Sequence, residues 1–172
     1  KQYIQIILSS SNQLLAIISD IVDISNIETG HVNVFNTTIS IKGILKKLYE
    51  QFSPRAAEAG LKLNFHPGPA TGNRQLVSDE TKVIQILSNL LNNSLKFTAK
   101  GSIDLGYEVN DGSIEFFVRD TGKGINREDL PKIFDRFFQA DVPTNHKTEG
   151  TGLGLAISRR LRARRPIVRA SS

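Results

Sequence analysis

Along the first 28 residues apolar side chains recur at Ile4, Ile7/Leu8, Leu14/Leu15, Ile18 and Ile21/Val22, with Ser11 and Ser25 at the same phase. That spacing predicts one long helix of coiled-coil period. Such a stripe buries itself only against partner helices, whether from this chain, a second copy or another segment. Glu28-Thr29-Gly30 stops it, glycine being the usual left-handed terminator. Beyond the stop, HVNVFNTTIS alternates at Val32 and Val34 and bends after Phe35, which predicts a short strand or two. Helical spacing returns at Ile44, Leu45, Leu48 and Phe52, with Pro54 expected to kink or end that helix. LKLNF, residues 61 to 65, alternates as a strand, and HPGPATGN reads as loop. IDLGYEV and SIEFFVRD flank Asn110-Asp111-Gly112, a hairpin signal. A glycine turn, a short helix near Leu130 to Phe137, a polar stretch and a final helix from about Leu153 complete the chain. The alternation of helices and strands predicts an α/β sandwich in which helices cover a sheet.

The segment SDETKVIQILSNLLNNSLKFT carries two faces at once. Asp79 is placed to cap this helix. At about 100° per residue, Val83, Ile84, Leu87, Leu91 and Leu95 fall on one side, while Asn89, Asn93 and Lys96 share a separate arc about 60° wide. A solvated face accounts for scattered polar residues, but it usually reads Glu, Lys and Arg. Asparagine offers a neutral carbonyl oxygen suited to the oxygen shell of magnesium, and a lysine one turn on meets phosphate as a point charge.

Two glycine-bearing stretches follow. In DTGKGI, Asp120 emerges at a strand end with Gly122 and Gly124 just behind. The carboxylate, an acceptor only, suits an exocyclic amino group such as that of adenine, and the glycines allow close approach of a flat ligand. An ordinary Asp-Thr-Gly turn would read the same way. In EGTGLGLAISRRL, Gly150, Gly152 and Gly154 precede an apolar-periodic helix, where free N–H groups and the helix dipole make a phosphate cradle. No Gly-Lys-Ser/Thr follows and no strand leads directly in, so this is neither a P-loop nor a dinucleotide fingerprint.

Charge and composition narrow the classes. The net charge of +5 resides in SRRLRARRPIVRASS, which holds Arg159, Arg160, Arg162, Arg164, Arg165 and Arg169 and no acid; the remainder carries 16 basic against 17 acidic residues. The body is not basic, and no nucleic-acid partner is expected. The absence of cysteine removes disulfides, thiolate metal sites and cysteine nucleophiles. No apolar run reaches about 18 residues. The chain lacks an initiating methionine and reads as a fragment, and the lack of cysteine fits a reducing, cytosolic setting.

Taken in order, these elements resemble the catalytic core of bacterial sensor histidine kinases. NLLNNSLKFT is similar to the N box, DTGKGI to the first glycine box, IFDRFFQ to the F box and GTGLGL to the second glycine box. SNQLLAIISDIVDISNIETG resembles the second helix of the dimerisation and phosphotransfer hairpin. The resemblance implies part of that hairpin in residues 1–30, an ATP-binding sandwich with a mixed sheet in 31–161, and an atypical basic tail in 162–172. It also implies magnesium on Asn93 with Asn89 nearby, phosphates on Lys96, and the adenine amino group on Asp120, with Gly122 and Gly124 shaping the base pocket. Gly150, Thr151, Gly152, Leu153 and Gly154 would meet the phosphates. Residues from about Asn126 to Glu149 would form a lid anchored by Phe134, Phe137 and Phe138, which read equally as core packing; Arg136 is placed to reach phosphate or to form an exposed ion pair. Related gyrase, mismatch-repair and heat-shock ATPases use a glutamate where this chain has Asn89. An amide is no general base at neutral pH, so Asn89 favours transfer to histidine over hydrolysis. None of His31, His66 or His146 has the setting of a phosphoacceptor, so the acceptor would come from a hairpin helix of the same or a second protomer. A homodimer and a response-regulator receiver domain are the partners implied.

Overall fold

The structure is a computed structural model and describes residues 2–29, 34–68, 75–110, 113–139 and 152–163. Its elements run α1 (Gln2–Glu28), β1 (Thr37–Ser40), α2 (Ile41–Glu58), β2 (Lys62–His66), β3 (Gln75–Ser78), α3 (Glu80–Phe97), β4 (Ser102–Asn110), β5 (Ser113–Asp120) and α4 (Gly154–Ala163). The fold is an α/β sandwich. Strand β4 lies between β2, which it pairs in parallel, and β5, which it pairs antiparallel, so this sheet is mixed as expected. The strands β1 and β3 form a separate antiparallel ribbon.

Alternation along the central strands decides which face is covered. Ile103, Leu105 and Tyr107 of β4 and Phe116 and Val118 of β5 are buried, and they meet Ile44, Leu45, Leu48 and Phe52 of α2 and Val83, Leu87 and Leu91 of α3. The other face is thinner. There Gly106 lies opposite Phe117, and a Cβ at Gly106 would stand 2.6 Å from both Phe117 Cζ and His66 Cβ. The missing side chain lets the Phe117 ring cross β4, with the Arg119 guanidinium 4.1 Å above its centroid. Beside it Asp104 accepts from Asn64 Nδ2 at 3.0 Å and meets His66 Nε2 at 2.7 Å. This pairing, first the hydrogen bond to His66, holds the Asp104 carboxyl below its usual range against the opposing effect of burial.

Several local expectations are corrected. Helix α2 runs through Pro54 to Glu58 instead of stopping, because Leu48, Phe52 and Ala56 bury one continuous face on both sides of the proline. Ser40 caps it, accepting from Gly43 N at 3.1 Å. Within HVNVFNTTIS the strand is β1, Thr37–Ser40; residues 31–33 lie outside the described residues and Val34 is in no strand. Its partner β3 had no sequence signal. Leu130 to Phe137 forms successive turns in place of a helix, with Asp129 N and Leu130 N bonding Asn126 O and Asp135 N bonding Lys132 O; at its end Phe137 leaves the helical region with a φ of 60°. The long helix α1 is present and touches α4, yet Ile4, Ile7, Leu14, Leu15, Ile18, Ile21 and Val22 all remain exposed.

Candidate functional site

Helix α3 is the wall on which the site is built. Asp79 starts it, accepting from Lys82 N at 3.2 Å, and the same carboxylate takes Phe35 N at 3.0 Å, fastening the chain that leads into β1. One side of α3 buries Val83, Leu87 and Leu91. Asn89, Asn93 and Lys96 are half-buried on another arc. Asn92 points elsewhere and accepts from Arg55 Nη1 of α2 at 2.9 Å, which gives this third asparagine a structural task.

Two hydrogen bonds fix the glycine segments to that helix. Asp120 closes β5 opposite Ile103, and the ladder continues one residue further through Thr121 N and Ser102 O at 3.1 Å. The Asp120 carboxylate thus points to the helix-covered face. Its Oδ2 accepts from Ser94 Oγ at 3.0 Å and its Oδ1 from Gly122 N at 2.9 Å, an Asx turn that curls the backbone behind the strand. The Gly122 backbone passes so close that a Cβ would lie 2.7 Å from Asp120 Oδ1 and 2.8 Å from Phe97 O. Gly124 differs: it needs φ of +70° but faces open space.

At the other end, Asn89 Nδ2 donates to Gly154 O at 3.2 Å. Leu153, Ala156 and Ile157 are buried and seat the first turns of α4 beside α3. Asn89 and Ser94 are separated by about 7.5 Å along the helix axis, so the aspartate turn and the start of α4 flank one short stretch of α3. Gly152 has φ +70°, and a Cβ there would stand 2.8 Å from Phe137 C and 2.9 Å from Phe138 O. Its carbonyl accepts from Phe137 N at 3.1 Å, which joins the two phenylalanine-bearing and glycine-bearing segments. Phe137 itself takes φ of 60° and is 68% exposed, so it is not the core residue its type suggested. Gly150, Thr151, His31, His146 and residues 140–149 of the expected lid lie outside the described residues.

Sequence reasoning missed Ser94, Thr98 and Lys123. Ser94 was visible as a polar residue at an apolar phase, seven after Leu87. Thr98 ends α3 and its Oγ1 is enclosed without a hydrogen-bond partner. The Lys96 and Lys123 ammonium groups stand 4.9 and 5.5 Å from the Phe97 ring centroid, which places two cations beside the aspartate turn.

This donor set fits a magnesium nucleotide better than a protein-caged metal. Among the described residues no group of three His, Asp or Glu gathers to hold an ion. Magnesium commonly takes one or two protein oxygens and completes its shell with phosphates and water, and Asn93 and Asn89 offer that number.

The chain belongs to the histidine kinase-, DNA gyrase B-, and HSP90-like ATPase family, whose pattern matches residues 78–166. Hybrid signal transduction histidine kinase L of Dictyostelium discoideum is 40% identical over 164 residues, covering 92% of this chain and 10% of that protein. The autoinducer 2 sensor kinase/phosphatase LuxQ of Vibrio cholerae serotype O1 is 34% identical over 161 residues, covering 91% and 19%. In structure, full-length ShkA in complex with AMPPNP superposes with a TM-score of 0.80 at 31% identity, covering 94% of this chain and 33% of that one. The chain therefore spans a fifth or less of these two relatives' length, and its fold is that of histidine kinase catalytic domains.

Proposed function

We propose that the chain is the ATP-binding catalytic core of a sensor histidine kinase, passing the γ-phosphoryl group of ATP to a histidine on a hairpin helix of the same or a second protomer, for relay to a response-regulator receiver domain. The observation that carries this reading is the anchoring of Asp120 by Ser94 and Gly122 next to the α3 face that bears Asn89 and Asn93. Asp120 would accept from the adenine amino group, with Gly122 and Gly124 beside the base. Bound magnesium, held by Asn93 with Asn89, would neutralise charge on the phosphates. Lys96 adds a positive charge, and backbone N–H groups from Gly150 to Gly154 at the start of α4 add donors. Such a site works by positioning and charge neutralisation, since phosphoryl transfer asks little covalent chemistry of the protein. Asn89 supplies no base, which suits a neutral imidazole acceptor.

Residues 1–30 would contribute one helix of a dimerisation bundle, and the exposed stripe on α1 is the surface such a bundle covers. Residues 31–161 would form the catalytic domain, with 162–172 a basic extension. No helix among the described residues is long and apolar enough to cross a membrane; a cytoplasmic position, in a parent protein that is free or tethered, fits this reading. The test is transfer of label from γ-labelled ATP to a separately supplied hairpin bearing the acceptor histidine. Transfer that requires Asp120 and Asn93 is expected. ATP binding without transfer would instead make the chain a nucleotide-gated interaction module.

A further inference from the structure

Thr98 presents an unsolved problem of polarity. Its N–H closes α3 by bonding Ser94 O at 3.0 Å, and the residue is 4% exposed. Its Oγ1, however, is enclosed and has no hydrogen-bond partner, the one such side-chain atom among the described residues. Enclosing a hydroxyl without a partner opposes folding, so a chain that keeps one usually has a use for it. The position narrows that use. A Cβ on Gly122 would lie 3.1 Å from Thr98 Oγ1 and 2.7 Å from Asp120 Oδ1, so both oxygens face the one point that the glycine leaves without a side chain.

The other polar groups there are committed. The Ser94 hydroxyl donates to Asp120 Oδ2, and Gly122 N–H donates to Oδ1. A carboxylate only accepts, whereas the edge of adenine presents an amino donor beside the ring acceptor N1. Asp120 can satisfy the first of these and not the second. Resting on the proposed nucleotide site, we infer that Thr98 supplies the missing donor, its hydroxyl serving adenine N1 directly as the Gly122 turn yields, or through one enclosed water. Asp120 and Thr98 then read the base as a pair, an acceptor beside a donor. Guanine presents the opposite order, with a carbonyl facing the carboxylate.

The experiment removes one atom from each side. Binding of ATP and of 1-deaza-ATP, in which N1 is replaced by CH, is measured on the full chain and on Thr98→Val. Wild type is expected to bind 1-deaza-ATP about tenfold more weakly than ATP, one hydrogen bond's worth of affinity. Thr98→Val is expected to lose about the same factor for ATP and to bind the two nucleotides equally well. Its melting temperature without nucleotide should match or exceed that of wild type, since an unpartnered hydroxyl has been replaced by a methyl; this also shows that the variant folds. Discrimination between the two nucleotides that survives Thr98→Val, or no discrimination by wild type, overturns the inference while leaving the nucleotide site standing. Failure of wild type to bind ATP at all overturns both. Thr98→Ser, which keeps the hydroxyl, should restore the preference for ATP.

Discussion

Two glycines separated by one residue should respond in opposite ways to the same added methyl. At Gly152 the φ of +70° is left-handed, and an alanine there costs about 1–2 kcal/mol from conformation alone. The new Cβ would also stand 2.8 Å from Phe137 C, 2.9 Å from its Cα and 2.9 Å from Phe138 O. All three are backbone atoms, so no side chain can rotate away. The segment must shift, at about 1–3 kcal/mol for overpacking, and the Phe137 N to Gly152 O bond is strained as it moves. Together these give a loss of about 2–4 kcal/mol, because relaxation recovers part of each contribution. For a chain of this size that lowers the melting temperature by roughly 5–12 °C. Gly154 has no positive φ, and its Cβ would meet only the Asn89 side chain, at 3.5 to 3.7 Å, an ordinary contact. Since alanine is the better helix former by up to about 1 kcal/mol, Gly154→Ala should leave the melting temperature within a few degrees of wild type or raise it. Thermal unfolding without nucleotide compares the two. Equal losses would refute the claim that Gly152 is there for backbone shape and Gly154 is not.

Other sites give independent checks. Asn89→Ala removes the bond to Gly154 O and should cost about 1 kcal/mol in urea unfolding; Asn89→Asp keeps an oxygen for a metal but sets a carboxylate against that carbonyl, so it should cost more, and the reverse order would show that the tie does not matter. Gly106→Ala drives a methyl within 2.6 Å of Phe117 and His66 Cβ and 2.8 Å of His66 O, and should destabilise by about 1–3 kcal/mol in the same assay. The Asp104 carboxyl is lowered in the folded state, so its contribution to stability is present above about pH 4 and is lost as the pH falls from there through the folded value. Asp104→Asn should therefore lose stability at neutral pH and show a flatter acid limb than wild type in a pH series of melts.

What was legible in the sequence was whatever a period or a cap encodes. The 18 residues of α3 announced themselves through Val83, Leu87 and Leu91 and the Asp79 cap, and the β4–β5 pair through its alternating strands either side of the Asn110-Asp111-Gly112 signal. Short elements were less legible. Strand β1 buries only Ile39, so a strand was expected in HVNVFNTTIS but not its bounds, and β3 buries nothing fully and offered no alternation to find. Pro54 misled because its local cost is overridden by tertiary burial of Phe52 and Ala56. In the site, Asn89, Asn93, Lys96 and Asp120 stood out by residue type. The partners that hold them did not, since the Ser94 to Asp120 bond joins residues 26 apart and the Asn89 to Gly154 bond residues 65 apart. Such pairings exist only once the sheet has brought the strand end under the helix.

The most direct measurement is a crystal structure of the chain grown with magnesium and a non-hydrolysable ATP analogue. The account predicts the adenine amino group on Asp120, the metal on the Asn93 side-chain oxygen and the phosphates between Lys96 and the start of α4. A nucleotide bound with its base away from Asp120, or a metal shell without Asn93, would contradict it.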